Sequence, residues 1–225
     1  FGGSSMNLIF DTGANFSVIV KSLVEKLDME YIEADFYVTA ATGVKVKSGI
    51  AIAKQLSLGG IIFENVMFLV LDDEDLAFPQ IDYYIKGAIG FPVIEAFEEL
   101  RINKENEIFV PFQSIEYEYN NFALNGLMPV VAAIYQEDTL RFNFDTGATT
   151  TSLYTQFFDD YQKEIEKDFE KEIFESGSGG GTVEFEGYIL DGINLKIGKS
   201  KATINDLRLH INQVGGQKEL VHGNF

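Results

Sequence analysis

One pentapeptide constrains this chain more than any other feature: Phe10-Asp11-Thr12-Gly13-Ala14 returns 134 residues later as Phe144-Asp145-Thr146-Gly147-Ala148. Each copy follows an apolar run with strand alternation, Met6 to Phe10 and Leu140 to Phe144, so each aspartate is expected where a strand turns. Glycine two residues on permits a tight turn, and the threonine hydroxyl can bond across to a partner turn. Asp and Gly also serve ordinary turns, so one copy alone would say little. A given four-residue string arises by chance in a chain this long with a probability of roughly 1% or less. Two copies in one context therefore indicate a duplication.

The order of features downstream extends the repeat. Lys47-Ser48-Gly49 falls opposite Glu186-Gly187, Leu58-Gly59 opposite Ile197-Gly198, Phe63-Glu64-Asn65-Val66 opposite Ile204-Asn205-Asp206-Leu207, and Ile89-Gly90 opposite His222-Gly223. So long a period with short, glycine-bounded strands means two copies of one β-rich lobe rather than a solenoid. The chain divides into a first lobe at 1–112, a polar linker at 113–125 and a second lobe at 126–225. Because the second lobe has an opening strand the first lacks, and the first has a closing helix and hairpin the second lacks, the natural protein is expected to extend beyond both ends.

Within the first lobe, Val18 to Leu27 can hold a short helix. Asp35 to Ala40, the turn Ala41-Thr42-Gly43 and Val44 to Ala53 read as a hairpin, and Leu56 to Leu58 reads as a second one with Ile61 to Leu71 through Gly59-Gly60. A helix over Pro92 to Leu100 and a closing hairpin over Arg101 to Phe112 follow. The second lobe opens with Pro129 to Tyr135. It continues through an amphipathic helix over 157–175, with Tyr161, Ile165, Phe169 and Ile173 at i, i+4 spacing, and a flexible loop at Ser176 to Gly181.

Composition narrows the chemistry. A net charge of -18 argues against nucleic-acid partners, and no run approaches the roughly 18 apolar residues of a membrane helix. With no cysteine, disulfides, zinc-thiolate sites and thiol nucleophiles are excluded, while an exported and a cytosolic location both stay open. Two histidines, His210 and His222, leave little for a Ser-His-Asp triad or a metal site and read as structural. Asp72 to Asp75 lacks the alternating pattern of a calcium loop, and the glycine run lacks the ending of a phosphate loop. Asn15-Phe16-Ser17 matches a glycosylation sequon but sits in the aspartate-bearing loop, where a glycan would block the cleft.

With its duplicated hydrophobic-Asp-Thr-Gly-Ala, the sequence resembles the retropepsin-like and pepsin-like aspartic peptidases. The resemblance implies a mainly β, two-lobed acid-protease fold with pseudo-two-fold related lobes and a few short helices. It implies that Asp11 and Asp145 form a catalytic dyad hydrolysing peptide bonds in a peptide or unfolded protein, in a monomer, without metal or cofactor. Thr12 and Thr146 would lock the two turns together, and Gly13 and Gly147 would offer backbone N–H groups to the carboxylates. Ala14 and Ala148 stand where pepsin-like enzymes usually carry Ser, which favours the retropepsin-like branch as a tandem and a milder acidic working range. Gly87-Ala88-Ile89-Gly90 resembles the element that backs the catalytic turn, so Gly90 and Gly223 would be the backing glycines. Ala41, Thr42 and Gly43 would form the tip of a flap. His222 departs from the apolar residue expected before the second backing glycine. Two other arrangements stay open: a peptide-binding module whose dyad is misplaced, and a homodimer pairing Asp11 with Asp11 and Asp145 with Asp145.

Overall fold

The computed structural model describes residues 3–213 and 220–225. The first half runs through β1 (Ile9–Phe10), β2 (Ser17–Val20), α1 (Lys21–Val24), β3 (Glu30–Thr39), β4 (Lys45–Leu58), β5 (Ile61–Leu71), a 3₁₀ turn at Asp73–Leu76, β6 (Ala77–Phe78), a second 3₁₀ turn at Pro79–Ile81, β7 (Tyr83–Tyr84), β8 (Gly87–Ile89), α2 (Phe91–Glu95), β9 (Arg101–Ile102) and β10 (Ile108–Phe109). The second half contains β11 (Phe122–Asn125), β12 (Met128–Tyr135), β13 (Asp138–Asn143), β14 (Ser152–Leu153), α3 (Thr155–Asp168), β15 (Glu172–Ser178), β16 (Gly181–Ile197), β17 (Ser200–His210) and β18 (Gly223–Asn224). The fold is mainly β and two-lobed, as an acid-protease fold requires.

Each lobe is built on its own sheet. In the first, β1, β8, β2, β5, β4 and β3 lie side by side. Branched and aromatic residues on β4 and β5 favour extended backbone and bury one face, including Ala51, Leu56, Phe68 and Val70, against Ile19 and Ile94. A two-residue turn joins β4 to β5 with both Gly59 and Gly60 at positive φ, the geometry that matches strand twist. The second sheet runs β11, β12, β13, β18, β14, β17, β16, β15, and β12 also pairs with β16 through Ile134 and Tyr135, which closes it on itself. Phe142, Leu195, Leu207 and Leu209 fill its core beneath Phe157 and Ile165 of α3. The repeat reaches backbone detail: Asn65 on β5 and Asp206 on β17 occupy the left-handed region at φ 55° and 54°.

Several elements differ from the sequence reading. The short helix expected over Val18 to Leu27 is only α1, because Ser17–Val20 is drawn into the sheet between β8 and β5. The helix at Pro92 stops at Glu95, and Glu98 turns the chain at φ 62°. The helix read over 157–175 ends at Asp168. Phe169 is extended, and beyond it the burial period becomes two, with Phe174 buried and Ile173 72% exposed. Ser176 to Gly181 forms the paired end of the β15–β16 hairpin, with Gly177 opposite Thr182 and Ser178 opposite Gly181, so it is not an unpaired loop. The end of the segment read as a linker is a strand, β11, hydrogen-bonded to β12.

Candidate active site

Both aspartates stand where the sequence puts them, at the end of a strand held by a parallel neighbour. Phe10 pairs with Ile89, and the Asp11 N–H donates to the Ile89 carbonyl at 3.0 Å. Asn143 pairs with Asn224, and the Asp145 N–H donates to the Phe225 carbonyl at 3.0 Å. Each carboxylate then caps its own turn. Asp11 Oδ1 accepts the N–H groups of Gly13 (2.9 Å) and Ala14 (3.0 Å), and Asp145 Oδ1 accepts those of Gly147 and Ala148 (both 3.0 Å).

The turns are tied to one another. Thr12 Oγ1 donates to the Phe144 carbonyl at 2.6 Å and accepts the Thr146 N–H at 3.0 Å. Thr146 Oγ1 donates to the Phe10 carbonyl at 2.6 Å and accepts the Thr12 N–H at 3.1 Å. Four reciprocal bonds thus join the lobes at a pair of threonine hydroxyls, that of buried Thr12 and that of half-buried Thr146. The carboxyl groups cross over as well: a Cβ on Gly13 would overlap the carboxyl of Asp145, and one on Gly147 would overlap that of Asp11. Glycine is needed here because each aspartate lies against the main chain of the opposite turn.

Burial raises the pKa of both carboxyls. Asp11 is pushed up to about 6, first by burial and then by the Asp145 charge, while N–H bonds from Gly13 and Ala14 oppose the shift. Asp145 is raised mainly by burial against the N–H bonds of Gly147 and Ala148. Two such carboxyls lose their protons in separate steps that belong to the pair. Chemically, the site can hold one ionised and one neutral carboxyl across a broad acidic range.

Gly90 backs the first turn. Its N–H donates to Ser17 Oγ at 3.0 Å, a Cβ on it would overlap the Phe16 carbonyl, and the neighbouring Phe91 N–H donates to the Ala14 carbonyl at 2.8 Å. Gly223 is a correction. It pairs with Leu153, and a Cβ on it would overlap the Ser152 carbonyl, just as one on Gly87 would overlap the Val18 carbonyl. Gly223 is therefore the counterpart of Gly87, and Phe225 is the counterpart of Ile89. His222 accordingly matches Lys86, since the Tyr154 N–H donates to the His222 carbonyl as the Val20 N–H does to that of Lys86. It breaks no apolar pattern. Its Nδ1 accepts the Arg141 N–H at 3.1 Å and its Nε2 lies 3.2 Å from Asp160 Oδ2. Sequence alignment missed the shift because a two-residue difference in loop length sets Ile-Gly opposite His-Gly.

Ala41, Thr42 and Gly43 form the tip of the β3–β4 hairpin, with Gly43 at φ 86°. Thr42 is buried there, because the second lobe reaches it. Its N–H donates to Ser178 Oγ at 3.1 Å, and its own Oγ1 is 2.8 Å from the same oxygen. Neither this contact nor the Ser17 contact is visible in the sequence, where both serines look like loop residues. Two surface pockets, of about 610 Å³ along Ser5–Ile9 and Tyr83–Gly87 and about 290 Å³ beside Phe16 and Met67, include neither aspartate. Among the described residues no group of three or more acidic or histidine side chains could hold a metal ion, and no helix is long and apolar enough to cross a membrane.

Residues 1–93 match the family model described as aspartyl protease. The match supports an aspartic peptidase family, retropepsin-like, and aspartic peptidase activity in general. A search of curated proteins finds no match to the chain.

Proposed function

We propose, from the premise of a retropepsin-like aspartic peptidase, that this chain is an endopeptidase whose dyad is Asp11 and Asp145, both from one molecule. The observation that carries this reading is the crossed packing of each carboxyl on the other lobe's glycine, in turns bonded reciprocally through Thr12 and Thr146. A homodimer is not needed to bring two aspartates together.

With one proton shared by the pair, the ionised carboxylate takes a proton from a water as its oxygen attacks the peptide carbonyl carbon. The neutral carboxyl gives its proton to the carbonyl oxygen, and a tetrahedral gem-diol results. Return of a proton to the peptide nitrogen then lets the C–N bond break, yielding a carboxylic acid and an amine. Each proton passes through one of the two carboxyls: one goes to the carbonyl oxygen, and one taken from the water goes on to the peptide nitrogen. The raised pKa of Asp11 extends the single-proton state toward neutrality, and Ala14 and Ala148 supply no hydroxyl that would stabilise the charged form.

Cleavage of an unfolded protein, followed across pH, tests the proposal. Activity should peak in the range of roughly pH 4 to 6 and fall above it, as the last shared proton leaves. Asp11→Asn and Asp145→Asn should each abolish it. Binding of peptides by the wild type with no cleavage at any pH would instead support a binding module, and a maximum below about pH 3 would contradict the assignment of the raised pKa.

A further inference from the structure

A histidine side chain supplies part of the ladder that holds Asp145. Residues 222–225 run beside β13: the His222 N–H donates to the Arg141 carbonyl at 2.7 Å, the Phe225 N–H to the Asn143 carbonyl at 2.9 Å, and the Asp145 N–H to the Phe225 carbonyl at 3.0 Å. The Arg141 N–H donates instead to a ring nitrogen, Nδ1 of His222, at 3.1 Å. A main-chain N–H can only donate, so Nδ1 presents its lone pair and carries no proton. The proton of the neutral ring is then on Nε2, which donates it to Asp160 Oδ2 at 3.2 Å. With His222 only 5% exposed, the ring depends on these two partners.

Helix α3 is shaped to make the second contact. Its helical geometry breaks at Tyr161, where φ is -123° and ψ is 19°, and the Tyr161 hydroxyl donates to Asp138 Oδ2 at 2.8 Å, at the start of β13. Asp160 immediately precedes the break, so the turn that is pinned to β13 also brings a carboxylate to His222. The first lobe has no such link, because Lys86, the counterpart of His222, ends in an ammonium that can only donate. We infer that His222 is a positioning residue for Asp145, that as a neutral ring it bridges β13 and α3, and that its protonation releases Arg141 and sets the acid limb of the pH–rate profile.

An imidazolium has two donors and no acceptor, so the Arg141 N–H would face another N–H and lose its partner. The contact with Asp160 is meanwhile strengthened, and residues 222–225 are drawn toward α3 and away from β13. The Phe225 carbonyl moves with them, and with it the main chain of Asp145. Among the described residues, the charged groups facing the ring are Asp160 from α3 and Arg141 from β13. Burial lowers the His222 pKa, Asp160 opposes the shift and the Arg141 charge adds to it, so the ring takes up its proton on the acid side of an ordinary histidine. The part played in catalysis rests on the peptidase proposal, whereas the bridge itself does not.

Imidazole nitrogen spectra read the bridge without substrate, and the His210→Leu variant identifies which signals belong to His222. Neutral His222 should be the Nε2–H tautomer. As it titrates, the Arg141 amide should exchange roughly five- to tenfold faster than in His222→Asn at the same pH, with the Asp11 amide alike in both. Asparagine puts an oxygen where Nδ1 stands and takes up no proton. On an unfolded polypeptide, His222→Leu should lower kcat by roughly tenfold with KM kept, and His222→Asn should recover most of that loss. His222→Asn should also extend activity about one pH unit further into acid, and Asp160→Asn should move the acid limb the same way by about half a unit, because the ring loses the charge that favours its protonation. An Nδ1–H tautomer, or a titration of His222 that leaves Arg141 exchange unaltered, would overturn the bridge. Identical acid limbs in the wild type, His222→Asn and Asp160→Asn would overturn its part in the reaction. If the wild type cleaves nothing, the peptidase reading fails, and the spectra and exchange alone decide the bridge.

Discussion

The two lobes agree at their aspartate turns, where each bonds to the other, and differ elsewhere. Between Phe10 and Ala14 and between Phe144 and Ala148 the hydrogen bonds match partner for partner within 0.1 Å. Away from these turns, four-residue α1 stands opposite fourteen-residue α3. An open six-stranded sheet stands opposite one that closes through β12 and β16, and a hairpin tip of Ala41, Thr42 and Gly43 stands opposite a glycine-rich one at Ser178 to Gly181. The reason is reciprocity. Each turn is the other's hydrogen-bonding partner, so neither can change alone, whereas each core needs only to fill its own volume.

If the turns are equivalent, matched substitutions should cost alike. Asp11→Asn and Asp145→Asn should each lower kcat/KM by on the order of 10³-fold or more, and a tenfold difference between them would break the symmetry. The same variants report on stability. Folding raises the Asp11 pKa to about 6, so the folded state holds more protons than the unfolded one between roughly pH 4 and 6. The stability from that group is full below the window and lost as pH rises through it. Asp11→Asn should therefore be the more stable protein at pH 7, by on the order of 1–3 kcal/mol in denaturant titration, with the gain absent near pH 4.

Gly13→Ala and Gly147→Ala should rank next. Each methyl would displace the carboxyl of the opposite lobe, and a misplacement of about 1 Å costs on the order of 10²-fold in rate. Steady-state kinetics should find equal losses for the two, with secondary structure by circular dichroism unchanged.

A lobe-specific effect sharpens the contrast. His210 ends β17 where Leu71 ends β5. It is buried among Tyr154, Phe174 and Phe185, its Nδ1 has no hydrogen-bond partner among the described residues, and burial lowers its pKa to about 4, with the Arg208 charge adding to this. A lowered histidine pKa means that the unfolded state binds more protons between roughly pH 4 and 6.5, so stability is lost as pH falls through that window, opposite in sign to the dyad. His210→Leu should spare the second lobe on the order of 1–3 kcal/mol of that acid loss, read from thermal unfolding at pH 4 and 7.

The smallest effects should come from Thr12→Val and Thr146→Val. Each removes one donated bond and strands one N–H, at a cost of about 1–2 kcal/mol. Because both changes damage one network, the double variant should lose less than the sum of the singles.

Much of this was readable from residues in order. A doubled Asp-Thr-Gly-Ala after alternating apolar residues fixed two strand ends and two tight turns, and paired glycines at 59 and 60 marked a hairpin, because turn chemistry is local. The end of α3 was not readable: charges from Lys163 to Glu172 fit a helical face, and only the demand of the second lobe's interior for Phe174 shows where the strand takes over. Gly223 was misassigned for a similar reason, since its true counterpart, Gly87, is identified by strand register and not by the neighbouring letter.

What the sequence by itself determined is that each half ends a strand in an aspartate held by its own turn, since capping bonds span only two or three residues. The tertiary structure decided that the two aspartates share one place, that Thr42 meets Ser178, and that a glycine run lies as a strand end on the other lobe. The bonds between the aspartate turns and between Thr42 and Ser178 join residues more than 130 positions apart. They form only when two separately packed sheets dock, and no local pattern encodes how one sheet faces another.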